Sequence, residues 1–134
     1  MNRDTARRSR SEPRDLRERT KAFALRIIRL YSALPKTSLA QVLGKQVLRS
    51  GTSVGAQYRE GCRARLTAEF VSKIESGLQE LEETAYWLEL LSDSGVLPAK
   101  RLAALQQEAD ELTAILASSA ITAKKGKQTP GRRR

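Results

Sequence analysis

The stretch Ser50-Gly-Thr-Ser-Val-Gly-Ala-Gln-Tyr-Arg-Glu-Gly61 constrains this chain more than any other. It is rich in small residues, yet it lies inside a longer pattern that has helical spacing. Gly51 and Gly55 stand four apart, and Thr52 and Ala56 repeat the spacing one residue on. A glycine inside a helix costs ~1 kcal/mol relative to alanine, so a loop is the cheaper local reading. The segment lacks the proline or Asn-Gly pair that usually punctuates a loop. Long apolar and charged side chains bracket it at helical spacing on both sides. A helix pressed against another backbone, with side chains pared down to admit it, reconciles these facts. A second reading reserves the gap for another molecule, either a neighbouring subunit or a ligand.

The pattern around that stretch is helical throughout. Ser11 or Glu12 with Pro13 opens a first helix, since proline is tolerated in a first turn. Leu16, Phe23, Ile27, Leu30 and Leu34 recur on one face, Ile28 and Tyr31 widen it, and Pro35 ends it. Lys36-Thr37-Ser38 supplies a turn and the next N-cap. The second helix is predicted over residues 39–63. Leu39, Leu43, Val47, Ser50, Val54, Tyr58 and Gly61 form its inner stripe, so Ser50, Gly51, Val54 and Gly55 are the expected packing residues. Lys45, Arg49, Thr52, Ala56, Arg59 and Arg63 form the outer face, which is a positive ridge.

Ala64-Arg65-Leu66 breaks the pattern, with Thr67 expected as the cap of a third helix over residues 68–92. Phe70, Val71, Ile74, Gly77, Leu78, Leu81, Ala85 and Leu88 form its core stripe. Its outer face begins polar and turns apolar at Tyr86, Trp87 and Leu90. A helix that becomes apolar all round must bury a second face, so a subunit contact is expected there. Ser94-Gly95 reads as a C-cap and Pro98 starts a fourth helix. That helix carries Leu102, Leu105, Ala109, Leu112, Ile115 and Leu116 and is expected to fade near Ala123. The predicted fold is all-α: an antiparallel up-down-up-down four-helix bundle over residues 13–123. Basic disordered tails are expected at residues 1–12 and 124–134.

Net charge is +10 and unevenly placed. Residues 1–21 hold eight Lys/Arg against four Asp/Glu, and residues 124–134 hold six and none. Residues 22–73 have nine basic and two acidic groups, whereas residues 74–123 have two and nine. The halves are complementary and can pair within a subunit or between subunits. With no histidine, Ser-His and Cys-His nucleophile pairs are excluded, as is the Glu-x-x-His motif of di-iron bundles. Glu75, Glu80, Glu82 and Glu83 read as a solvated helix face. Gly51 and Gly55 lack the preceding strand and following Lys-Ser/Thr of a phosphate loop. No metal, cofactor or enzymatic activity is expected. Cys62 sits among Arg59, Arg63 and Arg65, one ingredient of a reactive thiol. Without a general base it reads as packed or incidental. No apolar run is long enough for a membrane span, no secretory leader is expected, and the single cysteine suits a reducing cytoplasm.

The run Gln46-Val-Leu-Arg-Ser-Gly-Thr-Ser-Val-Gly-Ala-Gln-Tyr-Arg-Glu60 resembles the signature of a bacterial family. Glu69-Phe-Val-Ser-Lys-Ile74, Leu78-Gln-Glu-Leu-Glu-Glu-Thr84 and Tyr86-Trp-Leu-Glu-Leu-Leu91 extend the likeness across residues 16–122. The family is the small four-helix-bundle proteins first noticed in intervening sequences of bacterial 23S ribosomal RNA genes. It includes accessory proteins of diversity-generating retroelements. The resemblance implies a homopentamer and, for the retroelement members, binding of nucleic acid and a reverse transcriptase. Two positions depart from the family pattern. Gln57 stands where Asn is usual, and Leu66 replaces a capping Ser or Thr.

These readings yield two candidate surfaces. Lys45, Arg49, Arg59, Arg63 and Arg65, with Lys124, Lys125, Lys127, Arg132, Arg133 and Arg134, are candidates for phosphate contacts with nucleic acid, RNA in preference. Tyr86, Trp87 and Leu90 are candidates for an oligomer interface; their acidic neighbours Glu83 and Glu89 favour that over base stacking. The expected protein is therefore an oligomeric, nucleic-acid-binding accessory to an enzyme such as a reverse transcriptase. The alternative is a scaffold for an acidic protein partner.

Overall fold

The structure, a computed structural model, describes residues 13–128. Four helices follow in order: α1 (Pro13–Ala33), α2 (Ser38–Cys62), α3 (Thr67–Asp93) and α4 (Ala99–Gln128). Each packs antiparallel on the next, and α1 also meets α4, more lightly. This is the up-down-up-down bundle that the apolar periodicity predicts. Phe23, Ile27, Val47, Val54, Ile74, Leu81, Leu88, Leu102, Leu112 and Leu116 meet in one core. Burying a side chain of this size stabilises the fold by ~1.5–3 kcal/mol relative to leaving it in water.

The small-residue stretch is helical along its whole length, and it faces two neighbours. Toward α1 it presents Gly51 and Gly55, with Gly44 two turns earlier. A Cβ on Gly44 would lie 2.5 Å from Leu34 Cδ1, one on Gly51 2.7 Å from Ile27 Cγ1, and one on Gly55 3.1 Å from Thr20 Oγ1. These positions cannot carry a side chain unless α1 moves. Toward α3 the stretch presents Ser50, Val54 and Gly61. Gly77 of α3 answers it, its Cβ position lying 3.8 Å from the Val54 carbonyl oxygen.

The polar members of the seams are bonded in place. Ser50 and Thr84 are fully buried, and their hydroxyl oxygens are 2.8 Å apart. Ser50 donates to the Gln46 carbonyl at 2.9 Å. Thr84 has its proton for Ser50 or for the Glu80 carbonyl at 2.7 Å. Thr20, also fully buried, donates to the Leu16 carbonyl at 2.8 Å. Short hydroxyl side chains bonded to the carbonyl one turn back let helices approach without orphaned polar groups.

The helix ends follow local chemistry. Thr37 caps α2 by accepting from the Ala40 N–H at 3.2 Å. Gly95 adopts φ 84° after α3. Its N–H donates to Ser92 and that of Val96 to Leu91, both at 3.0 Å, which closes the helix in a Schellman motif.

Three expectations are corrected. Leu66, rather than Thr67, occupies the N-cap position of α3, and it makes no side-chain bond because leucine has no acceptor. Leu39 is 49% exposed rather than part of the inner stripe, as it lies in the first turn of α2 where α1 has already ended. The last helix does not fade near Ala123. It runs to Gln128, so Lys124 and Lys125 are helical rather than disordered. Ala120 is still buried and Lys124 reaches Glu75 on α3 at 3.0 Å, so a packing face persists. Residues 1–12 and 129–134, the rest of the expected tails, lie outside the described residues.

Two glycine substitutions separate seam from surface. Gly51→Ala gains ~1 kcal/mol of helix propensity but overpacks against buried Ile27 at a cost of ~1–3 kcal/mol. Gly126 meets nothing within 4 Å, so Gly126→Ala keeps up to ~1 kcal/mol of that gain. Urea unfolding at matched protein concentration should show a lowered midpoint for Gly51→Ala and an unchanged or raised one for Gly126→Ala.

Candidate nucleic-acid interface

Antiparallel packing brings the start of α1, the end of α2, the start of α3 and the end of α4 to one pole. The register is set by Gly55 opposite Thr20, Gly61 opposite Phe70 and Lys73, and Glu75 bonded to Lys124. Arg59, half-buried, and Arg63 and Arg65, exposed, lie at this pole with Lys124 and Lys125. Lys127 is within α4; its side chain, and all of Arg132, Arg133 and Arg134, lie outside what the structure describes.

Helix α1 adds two cations from outside the predicted ridge, Arg17 and Lys21. They stand one turn apart, and Arg17 is close enough to Tyr58 for its charge to act on that phenol. Burial is the larger influence and pushes the Tyr58 phenol up, as does its hydrogen bond with Cys62. Cys62 itself is exposed, so of the two readings it is incidental rather than packed.

The predicted ridge divides into two electrostatic parts. In its first half, Arg49 donates to Glu83 at 2.6 Å and to Glu80 at 3.3 Å. The Glu83 bond leads in raising the Arg49 guanidinium above its ordinary value. Lys45 lies one turn before it, exposed. Between Arg17 and Lys21 on α1, Arg19 makes a two-bond contact with Glu108, at 2.8 and 3.1 Å, and reaches Glu111 at 2.9 Å. Lys73 meets Glu60 at 2.7 Å, and that bond leads in holding the Glu60 carboxyl below its usual range. The Arg49 and Arg19 pairs use the complementarity of the basic and acidic halves within the subunit, whereas Lys73 and Glu60 both belong to the basic half. None of Arg17, Lys21, Arg59, Arg63 and Arg65 makes a salt bridge to a described residue, although Lys73 and Lys124 at the same pole do. Arg26, Arg29, Lys36, Lys45, Lys100 and Arg101, away from this pole, are likewise without one.

The apolar candidates lie at the other pole. Tyr86 is 54% exposed, whereas Trp87 and Leu90 are half-buried against the core. The Tyr86 and Trp87 rings are 5.3 Å apart and tilted by 58°. The Trp87 indole nitrogen is buried without a hydrogen-bond partner among the described residues. The antiparallel register sets the first turns of α2 near this end of α3, and Leu39 and Val42 are exposed there. Val42 was missed in the sequence because it falls outside the inner stripe without being polar. Gln57, where the resemblance leads one to expect Asn, lies on the α2–α3 seam beside Gly77, and its side-chain oxygen has no partner among the described residues.

Residues 14–118 match the family model described as 23S rRNA-intervening sequence protein. The chain belongs to that family. It is also similar to a crystal structure from Bacteroides thetaiotaomicron, a protein of unknown function from the S23 ribosomal protein family. The two are 34% identical, with a TM-score of 0.76 over 81% of this chain and 96% of that one. No curated protein matches the chain. The family span contains the seam and the Arg59, Arg63 and Arg65 cluster and ends before Lys124 and Lys125.

Proposed function

We propose that this protein is a non-catalytic, oligomeric bundle that binds nucleic acid, RNA foremost, through phosphate contacts at its basic pole. One observation carries this reading. Arg17, Lys21, Arg59, Arg63 and Arg65 gather at one end without ion pairs to described residues, while Arg19, Lys73 and Lys124 near them are held by carboxylates. Arg26, Arg29, Lys36, Lys45, Lys100 and Arg101 away from this end are also unpaired with described residues, so it is the clustering across two helices and the following turn that marks this end. A cation with no protein partner gives up only water and counterions when it meets a phosphate. The basic segments beyond the described residues add to the same charge. A non-catalytic role agrees with the lack of histidine and with Glu75, Glu80 and Glu83 being engaged by Lys124 and Arg49. Accessory action beside an enzyme such as a reverse transcriptase is the specific form that the resemblance favours.

Salt-dependent titration tests this reading. Affinity for random-sequence RNA should fall linearly on a log–log plot against salt. Replacing Arg59, Arg63 and Arg65 together by Ala should weaken binding alike across sequences and flatten the slope by ~0.7–0.9 for each phosphate no longer neutralised. Arg49→Ala should leave the slope unchanged. No RNA binding at low salt would sink the proposal and favour the acidic protein partner.

The oligomer belongs to the same proposal. Exposed Leu39, Val42 and Tyr86 together offer apolar surface suited to another subunit, and five is the number that the resemblance implies. Several subunits would repeat the basic pole, and weak contacts would sum. Light scattering should find an assembly that Tyr86→Asp reduces toward monomer. A wild-type monomer would refute the oligomer, and an intact mutant assembly would move its interface elsewhere.

A further inference from the structure

We infer that the nucleic acid held at the basic pole is a duplex rather than an extended single strand; this rests on the phosphate-binding reading above. Proteins that hold single strands join a positive groove to exposed aromatic rings on which successive bases stack. This pole offers neither feature. Of the aromatic residues near it, Tyr58 is 3% exposed and Phe70 is half-buried against the core. Tyr86 is the exposed ring among the described residues, and it lies toward the opposite pole, beside Glu83 and Glu89. Residues 1–12 and 129–134 contain no Phe, Tyr or Trp, so they cannot bring a ring to the pole.

The recess at this end is not a cationic groove. Its volume is about 270 Å³, and it is lined by Thr67, Ala68, Val71, Ser72, Glu75 and Lys124. The one lysine in that lining is bonded to the one carboxylate at 3.0 Å.

At this pole the cations without ion pairs to described residues spread over an area instead of following a line. Arg17 and Lys21 stand on α1, and Arg59 and Arg63 stand on α2 or at its C-cap. Within each pair the helix rises ~6 Å, and packed helix axes run ~8–10 Å apart. A single extended strand follows one such row. A duplex presents phosphates of two strands across a surface, with one charge per ~1.7 Å of axis, and can engage both rows together. Recognition by shape and backbone suits such a patch, because no described residue at the pole offers an exposed ring on which a base could stack.

The test uses the full chain and fluorescence anisotropy. It compares a blunt RNA duplex with an unstructured oligouridine carrying the same number of phosphates, across a range of salt. The duplex is expected to bind about tenfold more tightly at matched salt, with the steeper salt slope. The Arg17→Ala and Lys21→Ala pair should weaken duplex binding more than oligouridine binding and so erase most of that difference. Oligouridine binding as tightly as the duplex would overturn this inference and leave the phosphate-binding reading standing. Binding of neither would overturn both.

Discussion

The close approach of α2 to α1 is the constraint on which the rest of the bundle depends. Ile27 and Leu34 of α1 occupy space that side chains at Gly51 and Gly44 would need. The helix tolerates these glycines because the packing they allow returns more than the helix propensity they lose. On the opposite seam, Ser50 and Thr84 bond to each other and to carbonyl oxygens one turn back in their own helices, so α3 approaches without leaving a buried hydroxyl unsatisfied. One helix therefore fixes the position of both neighbours, and with them the register that gathers four helix ends at each pole.

That register gives the charge pattern its meaning. Arg49 is aligned with Glu80 and Glu83, and Arg19 with Glu108 and Glu111, so these two cations of the basic first half are balanced by the acidic second half inside one subunit. Exposed ion pairs of this kind add little stability, but they decide which cations are already occupied. Arg59, Arg63 and Arg65 follow the last aligned pairs of α2. They fall where the described carboxylate on their own helix end, Glu60, is held by Lys73. Apolar exposure occurs at both ends: Leu39, Val42 and Tyr86 lie near the opposite end, and Leu66 and Ile121 lie at the basic pole.

Most of the fold was legible in the sequence, because steps of three and four between apolar residues directly record which face is buried. Leu102, Leu105, Ala109, Leu112 and Leu116 all lie in the core. The small-residue stretch was legible as a packing seam for a similar reason: glycines at helical spacing have few other uses. Periodicity carried no information on where a face runs out, which is why Leu39 proved exposed and α4 outlasted its expected end. The candidate site was legible as residue types but not as a place. A ridge along one helix groups Arg49 with Arg59, although Arg49 is held by carboxylates of the neighbouring helix and Arg59 makes no ion pair with a described residue. Arg17 and Lys21 joined the cluster only through tertiary register.

Amine-reactive footprinting of the full chain, with and without bound RNA and read by mass spectrometry, tests most directly whether nucleic acid meets this bundle at one pole. Lys21, Lys124 and Lys125 lie at the basic pole, whereas Lys36 and Lys100 lie in or beside the connections at the other end. RNA is expected to protect the first three and to leave Lys36 and Lys100 as reactive as in the free protein. Equal protection at both ends, or protection confined to Lys36 and Lys100, would contradict binding at the basic pole.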